Sequence, residues 1–353
     1  MSKPIPLSLL DLVRVRESRT PADALAEAQR TATHVDRLGF TRYWVAEHHN
    51  MEGIASAATS VVLAHAGQNT RRIRLGSGGI MLPNHAPYVI AEQFGTLAQL
   101  FPGRVDLGLG RAPGTDQATL RAIRTNPARA EEFPQDVLEL MHWFAPPARD
   151  GQPRIQAWPA PGADVDFWIL GSSTFGAMLA AELGLPYAFA SHFAPDLLDE
   201  ALHVYRSRFK PSARLDAPYA MVGAHAVCAP TGDEARRLFT TTQMGFCGIL
   251  RNDRRLSPAP IADIDSYWTP REKAQVERML SCAVHGDPAE VQAGLARLQA
   301  RTQADEIILM SEIWDEEARR RSLTLTAQAW GLPAGEADPT DPGPGPTPGP
   351  API

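Results

Sequence analysis

Short apolar runs alternate with segments of helical period along the first 330 residues, and eight such pairs can be counted. The runs are mostly apolar, and not only at every second position. Strands of that kind are covered on both faces, which is the condition of a parallel sheet. Eight βα units within some 320 residues predict an α/β fold of the (β/α)8, or TIM, barrel type with insertions. A doubly wound open sheet is the alternative.

The elements follow in order. IPLSLLDL (5–12) is the first strand. In the next segment Leu25, Ala28, Ala32, Val35 and Leu38 fall on one helix face, and Gly39 supplies the stop. YWVAE (43–47) is strand two, with a helix over 55–67. IRLGS (73–77) is strand three, with a helix over 87–100. RVDLGLG (104–110) is strand four, and its helix, near 130–144, ends before Pro146 and Pro147. DFWILG (166–171) precedes a helix at 174–184; YAFAS (187–191) precedes one near 195–209. AMVGAHAVCA (220–229) leads into a helix from 233, an irregular insert over about 248–268 and a helical stretch at 270–281. Asp287, Pro288 and Glu290 make a capping box, hence a helix start. EIILM (306–310) is the last strand and 315–330 the closing helix. Residues 1–333 are therefore expected to be one barrel domain. AGEADPTDPGPGPTPGPAPI (334–353) has no apolar period and is proline-rich, so it is expected to be a disordered Pro/Gly-rich tail.

Composition narrows the function. The chain is 44% hydrophobic and 21% charged, with a formal net charge of −6. No basic stripe interleaved with aromatics points to nucleic acid, and no apolar run of about 18 residues points to a membrane span. The N-terminus meets Asp11 too early for a secretory segment. Three widely spaced cysteines, Cys228, Cys247 and Cys282, fit neither a disulfide framework nor a zinc site. A cytoplasmic protein with buried thiols is expected.

A barrel collects its active site at the C-terminal strand ends. Those positions here carry Glu47, His48 and His49, then Ser77, Gly78 and Gly79, then Gly110 and Arg111, then Gly171, Ser172 and Ser173, then Ser191 and His192. Neighbouring residues on a strand point to opposite sides, so His48 and His49 are not expected to share a metal ion, and none is predicted. The Gly-Ser-Ser junction opens a helix, where backbone N–H groups and the positive helix end favour phosphate. Taken alone, it is more often an ordinary N-cap. Arg111 adds a permanent cation at a neighbouring strand end. GLGRAPG (108–114) misses the dinucleotide fingerprint because Pro113 stands at the third glycine. Paired glycines at 78–79 mark a bulge or a place where a ligand lies flat on backbone. A phosphate site beside such a platform suits a phosphorylated planar cofactor, and FMN is the candidate.

GSGGIMLPNHAP and AEQFGTLAQLFPGRVDLGLGR, with WVAEHHN, FWILGSS and AAELGLPYAFAS, resemble the blocks of the bacterial luciferase-like flavin monooxygenases, in particular the YhbW-like branch. The resemblance spans about residues 5–330. It implies the same barrel and oxidation of a small organic substrate by FMNH2 and O2 through a C4a-peroxyflavin, the reduced flavin coming from a separate flavin reductase. By position it implies that His48 is catalytic, that Arg111, Gly171, Ser172, Ser173 and Gly176 hold the phosphate end, and that Gly78 and Gly79 carry a non-proline cis peptide beneath the flavin. Glu47 or His49 either orients His48 or supports its loop. Arg14 stands where many relatives have proline, and His285 and Asp287 replace smaller residues. A homodimer is expected. A deazaflavin-dependent dehydrogenase and a non-catalytic flavin-binding protein are the alternatives.

Overall fold

The computed structural model describes residues 4–112, 114–146, 155–253 and 255–333. The expected tail, and with it the domain boundary at 333/334, lies outside them. Strands β1 (Leu7–Asp11), β2 (Arg42–Val45), β3 (Arg74–Met81), β4 (Val105–Gly110), β5 (Val165–Gly171), β6 (Tyr187–Phe189), β7 (Ala220–Cys228) and β9 (Glu306–Met310) pair in that order. All these pairs are parallel, and β9 closes on β1. The result is the eight-stranded (β/α)8 barrel. A ninth strand, β8 (Val284–Gly286), is absent from the sequence-based expectation; it pairs with the last residues of β7, beyond the barrel register.

The helices are α1 (Pro21–Arg37), α2 (Thr59–Ala66), α3 (Pro87–Leu100), α4 (Gln117–Ile123), α5 (Phe133–Trp143), α6 (Thr174–Leu183), α7 (Leu198–Arg208), α8 (Gly232–Leu250), α9 (Pro270–Met279), α10 (Pro288–Thr302) and α11 (Glu316–Trp330). The capping box at Asp287 and Glu290 is formed. Helix α4 is absent from the sequence-based expectation, and two boundaries shift by four residues. The second helix starts at Thr59, because Ala55 and Ser56 are bonded to the chain that follows β1 and β2: the Ala55 N–H donates to the Val13 carbonyl and the Ser56 hydroxyl to those of Leu12 and Ala46. Strand three does not end at Ser77 but runs to Met81 through a bulge at Gly78 and Gly79. Among the described residues no helix is long and apolar enough to cross a membrane.

Outward strand residues such as Leu7, Leu9, Tyr43, Val45, Ala220, Val222 and Leu309 join the main core beneath the helices. Inward residues are stacked in layers. The lowest is polar: Arg42 bonds Asp106 at 2.8 Å and Glu306 at 3.1 Å, Arg74 reaches Asp106 at 2.7 Å, and Ser8 and Tyr219 donate to Glu306. Above it lies a small apolar core of Leu10, Trp44, Trp168, Ala188, Met221 and Ile308, with the two indoles edge to face at 5.2 Å. The next inward positions reach the C-terminal mouth.

Candidate functional site

Strand alternation selects what faces the mouth. Within the strands the inward positions are Ser8 and Leu10, Arg42 and Trp44, and Glu306, Ile308 and Met310; Leu12 and Ala46 follow in the same apolar cluster, and Arg14, His48 and Glu312 lie beyond the strand ends. On β7, Met221 is followed by Gly223 and His225, and beyond β6 Ala188 is followed by Ala190 and His192. The groups at the ends of these rows sense one another. Arg14 Nε donates to Glu312 at 2.7 Å. Burial acts to raise the Glu312 carboxyl, but Arg14 and the two imidazoles hold it at about 2. Burial pushes His225 down to about 4. Burial, then the neighbouring His225 and His48, push His192 down to about 3. His48 acts on His192 and so stands at this same end of the barrel.

Glu47 and His49 belong to the other face. Glu47 is fully buried. Its Oε1 accepts from His49 Nε2 at 2.6 Å and His85 Nε2 at 2.8 Å, and its Oε2 accepts the Met81 N–H at 3.0 Å. Burial acts to raise this carboxyl; the two imidazole hydrogen bonds overcome it and hold the group at about 2. Ligand-type atoms do converge here, those of Glu47, His49 and His85 lying within 4.8 Å of one another. The converging pair is His49 with His85, not His49 with His48. Both carboxylate oxygens already accept hydrogen bonds, so the cluster closes on itself. It ties the segment after β2 to the end of the β3 bulge.

That bulge contains a cis peptide between Gly78 and Gly79. A Cβ on Gly79 would lie 2.8 Å from the Gly108 carbonyl oxygen, and one on Gly78 would lie 2.6 Å from a Leu10 methyl. A side chain at Gly79 would strike the backbone of β4, one at Gly78 would have to push Leu10 aside, and the result is a strip of bare backbone in the β3 bulge.

At the end of β5, Ser173 is the N-cap residue of α6, extended at φ −146°, and its side chain makes no capping hydrogen bond. The first N–H groups of α6 are therefore available to a ligand. Gly171 and Gly176 let the helix start close against the strand: a Cβ on Gly176 would meet the Tyr187 ring at 3.3 Å and Gly171 Cα at 3.6 Å. The exposed Arg111, after β4, lays its guanidinium over the Phe175 ring with 4.0 Å to the centroid. Phe175 is in the first turn of this helix, so Arg111 is brought to its N-terminus.

The predicted residues thus fall into three neighbouring parts of one barrel end: Arg111 with Gly171, Ser172, Ser173 and Gly176; Gly78 with Gly79; and His48. His85, His225 and Glu312 were not singled out by sequence, and Arg14 only as a departure from relatives. The available signal was the continuation of the two-residue inward rows past the apolar runs.

Residues 5–305 match the family model for luciferase-like monooxygenases. A luciferase-like monooxygenase of Escherichia coli K12 is 49% identical over 324 residues, covering 92% of this chain and 96% of that protein. Crystalline apo-MsnO8 is 32% identical with a TM-score of 0.86, covering 94% of this chain and all of that one. At the level of fold alone the barrel is shared with the oxygenating constituent of 3,6-diketocamphane monooxygenase from Pseudomonas putida, in complex with FMN (16% identity, TM-score 0.68), and with an F420-dependent secondary alcohol dehydrogenase (15%, 0.68). Conserved architecture, blocks and coverage agree, and the chain belongs to the luciferase-like monooxygenase family.

Proposed function

We propose that this chain is a flavin-dependent monooxygenase that uses FMN, delivered reduced by a separate reductase, and O2 to oxidise a small organic substrate. The observation that carries the reading is Arg111 stacked on Phe175 at the entrance of α6. It puts a permanent cation beside N–H donors that no side chain caps, a site built for a phosphate. Arg111, Ser172 and Ser173 would hold that phosphate, with Gly171 and Gly176 keeping the helix start close to β5. Gly78 and Gly79 would take the planar ring on bare backbone, where any side chain would intrude. Reduced flavin bound there supplies the electrons that activate O2 for transfer of one oxygen atom to the substrate.

The protein's own part is positioning, exclusion of water and proton transfer. His48, just past the end of β2, is the group placed to give or take a proton at an imidazole nitrogen. Glu47 holds His49 and His85 away from the mouth and ties the His48 segment to β3. The segment after β1 is held to the chain on either side: the Val15 N–H donates to the Gly53 carbonyl, and the Glu17 N–H to that of Ser257.

The test is reconstitution of the full chain with FMN and with coenzyme F420, followed by fluorescence titration. Tighter binding of FMN, with oxygen uptake from the reduced complex, supports the proposal. Preference for F420 with no oxygen uptake replaces it by a deazaflavin-dependent dehydrogenase. Sedimentation of the same sample checks the homodimer that we expect.

A further inference from the structure

His225 is only 1% exposed, yet neither of its ring nitrogens has a hydrogen-bond partner among the described residues. Next to it, His192 Nδ1 is buried in the same condition, with ring centroids 6.2 Å apart. The His192 ring rests on Gly223, where a Cβ would lie 2.3 Å from the ring's Nδ1. On the other side the Phe246 ring of α8 stands 5.5 Å from His225. Thr242, one turn earlier on that helix, also keeps a buried hydroxyl without a partner. A buried polar group left unpaired costs about 1–3 kcal/mol. Such groups are few in native proteins, and several together at the functional end of a barrel indicate a partner that arrives.

The chemistry of the cluster limits what that partner is. Arg14 and Glu312 are already paired, at 2.7 Å, so the cation and the anion of the cluster cancel. The two imidazoles are neutral at pH 7, held down chiefly by burial. A neutral imidazole offers one N–H and one lone pair, on different edges of the ring. It therefore suits a neutral group that accepts or donates. A free carboxylate would be buried there without a free counter-charge, at a cost of several kcal/mol.

We propose that His225 and His192 form the substrate anchor, holding the hydroxyl, carbonyl or amide of a neutral organic substrate at the floor of the mouth whose rim carries His48. The anchor deepens the monooxygenase reading, since it names the substrate class of that site. Binding itself requires no oxygen chemistry, so the two can fail separately.

The test uses the full chain labelled with [15N]histidine, with and without FMN, and four matched probes: benzyl alcohol, benzamide, toluene and benzoate. Calorimetry gives affinities, and long-range 1H–15N spectra report the His225 ring nitrogens. Benzyl alcohol or benzamide is expected to bind about tenfold tighter than toluene or benzoate, the equivalent of one hydrogen bond, and to shift the His225 nitrogens. His225→Phe keeps the ring volume and is expected to level the four probes. His192→Phe, at a half-buried position, is expected to do the same in part and serves if the first variant does not fold. Four results overturn the proposal: benzoate binding tightest, a preference that survives both substitutions, no binding of any probe, or His225 nitrogens that no probe shifts, which would assign them to ordered water. Loss of FMN binding with the probe preference intact would overturn the cofactor reading and leave the anchor standing.

Discussion

Both ends of this barrel hold an arginine–carboxylate pair, but their other polar groups are satisfied in opposite ways. At the N-terminal end Arg42, Arg74, Asp106 and Glu306 are locked into mutual ion pairs, with Ser8 and Tyr219 adding hydroxyl donors to Glu306. At the C-terminal end the Arg14–Glu312 pair stands beside His192 and His225, where His192 Nδ1 and both His225 nitrogens lack partners among the described residues. Two apolar turns of the inward rows separate them. Burying ionic groups is costly unless each is paired and hydrogen-bonded. The lower end meets that condition internally and fixes how the strands stagger. The upper end pairs its ions too, Arg14 with Glu312, but leaves neutral imidazole nitrogens without a partner among the described residues, which is what a surface prepared for a ligand looks like.

The sharpest way to break the comparison is to remove a group from the closed end. Arg42→Met would leave Asp106 and Glu306 buried with less counter-charge. It is expected to cost about 3–5 kcal/mol of stability by denaturant unfolding, the usual penalty for breaking a buried pair. FMN affinity of the folded fraction is expected to be unchanged, because the proposed phosphate site lies at the other end. A comparable loss of affinity would show that the two ends are coupled.

His48→Ala makes the reciprocal cut at the open end. Turnover is expected to fall about 10²–10⁴-fold, the usual worth of a positioned acid–base group, with the melting temperature little changed. His49→Ala is expected to do much less to turnover, since its ring is held on Glu47. A larger turnover defect in His49→Ala, or an unaltered pH profile in His48→Ala, would reverse the assignment.

How much of this was legible without coordinates depends on where an apolar run stops. The runs ending at Val45 and at Gly110 stop where the barrel stops, so Glu47, His48 and Arg111 stood out as polar residues at a core's edge. The run 220–229 does not stop there. Its barrel pairing ends with His225 opposite Met310, and Ala226, Val227 and Cys228 continue against β8. His225 was therefore hidden inside an apolar stretch whose apparent end is four residues too late. His85 lies in a turn after the β3 bulge, and its link to Glu47 spans 38 positions, which no local pattern encodes. The bulge itself shows why the paired glycines looked like a strand end: the register shifts there, then pairing resumes at Ile80.

Glu47 tests the outward face of the open end. Its carboxyl stands at about 2, against an ordinary value of 4.5. Because the folded value is depressed, the stabilisation is fully present above pH 4.5 and is lost as the pH falls through about 2. A shift of that size corresponds to about 3 kcal/mol. Glu47→Gln is accordingly expected to destabilise by about 2–3 kcal/mol at pH 7. The gap to wild type is expected to narrow from pH 4.5 downward. A gap independent of pH would mean that packing, and not ionisation, sets the contribution of Glu47.

The smallest expected effect falls on the most exposed group. Arg111 is held by stacking on Phe175 and not by a buried ion pair, so removing it leaves no stranded charge and is expected to leave stability within about 0.5 kcal/mol. Its worth appears only with a ligand. Arg111→Ala is expected to weaken FMN by about 2 kcal/mol, the scale of a charged hydrogen bond, and to leave riboflavin, which lacks the phosphate, nearly unaffected. Because the guanidinium is exposed, the FMN penalty is expected to shrink as salt is raised. Arg111→Lys keeps the charge but loses the planar stack and the fork of donors, so partial recovery is expected. The titration that decides the matter runs FMN and riboflavin in parallel at low and high salt. Equal losses for the two ligands would place Arg111 against the ring system and detach the phosphate from the α6 N-terminus.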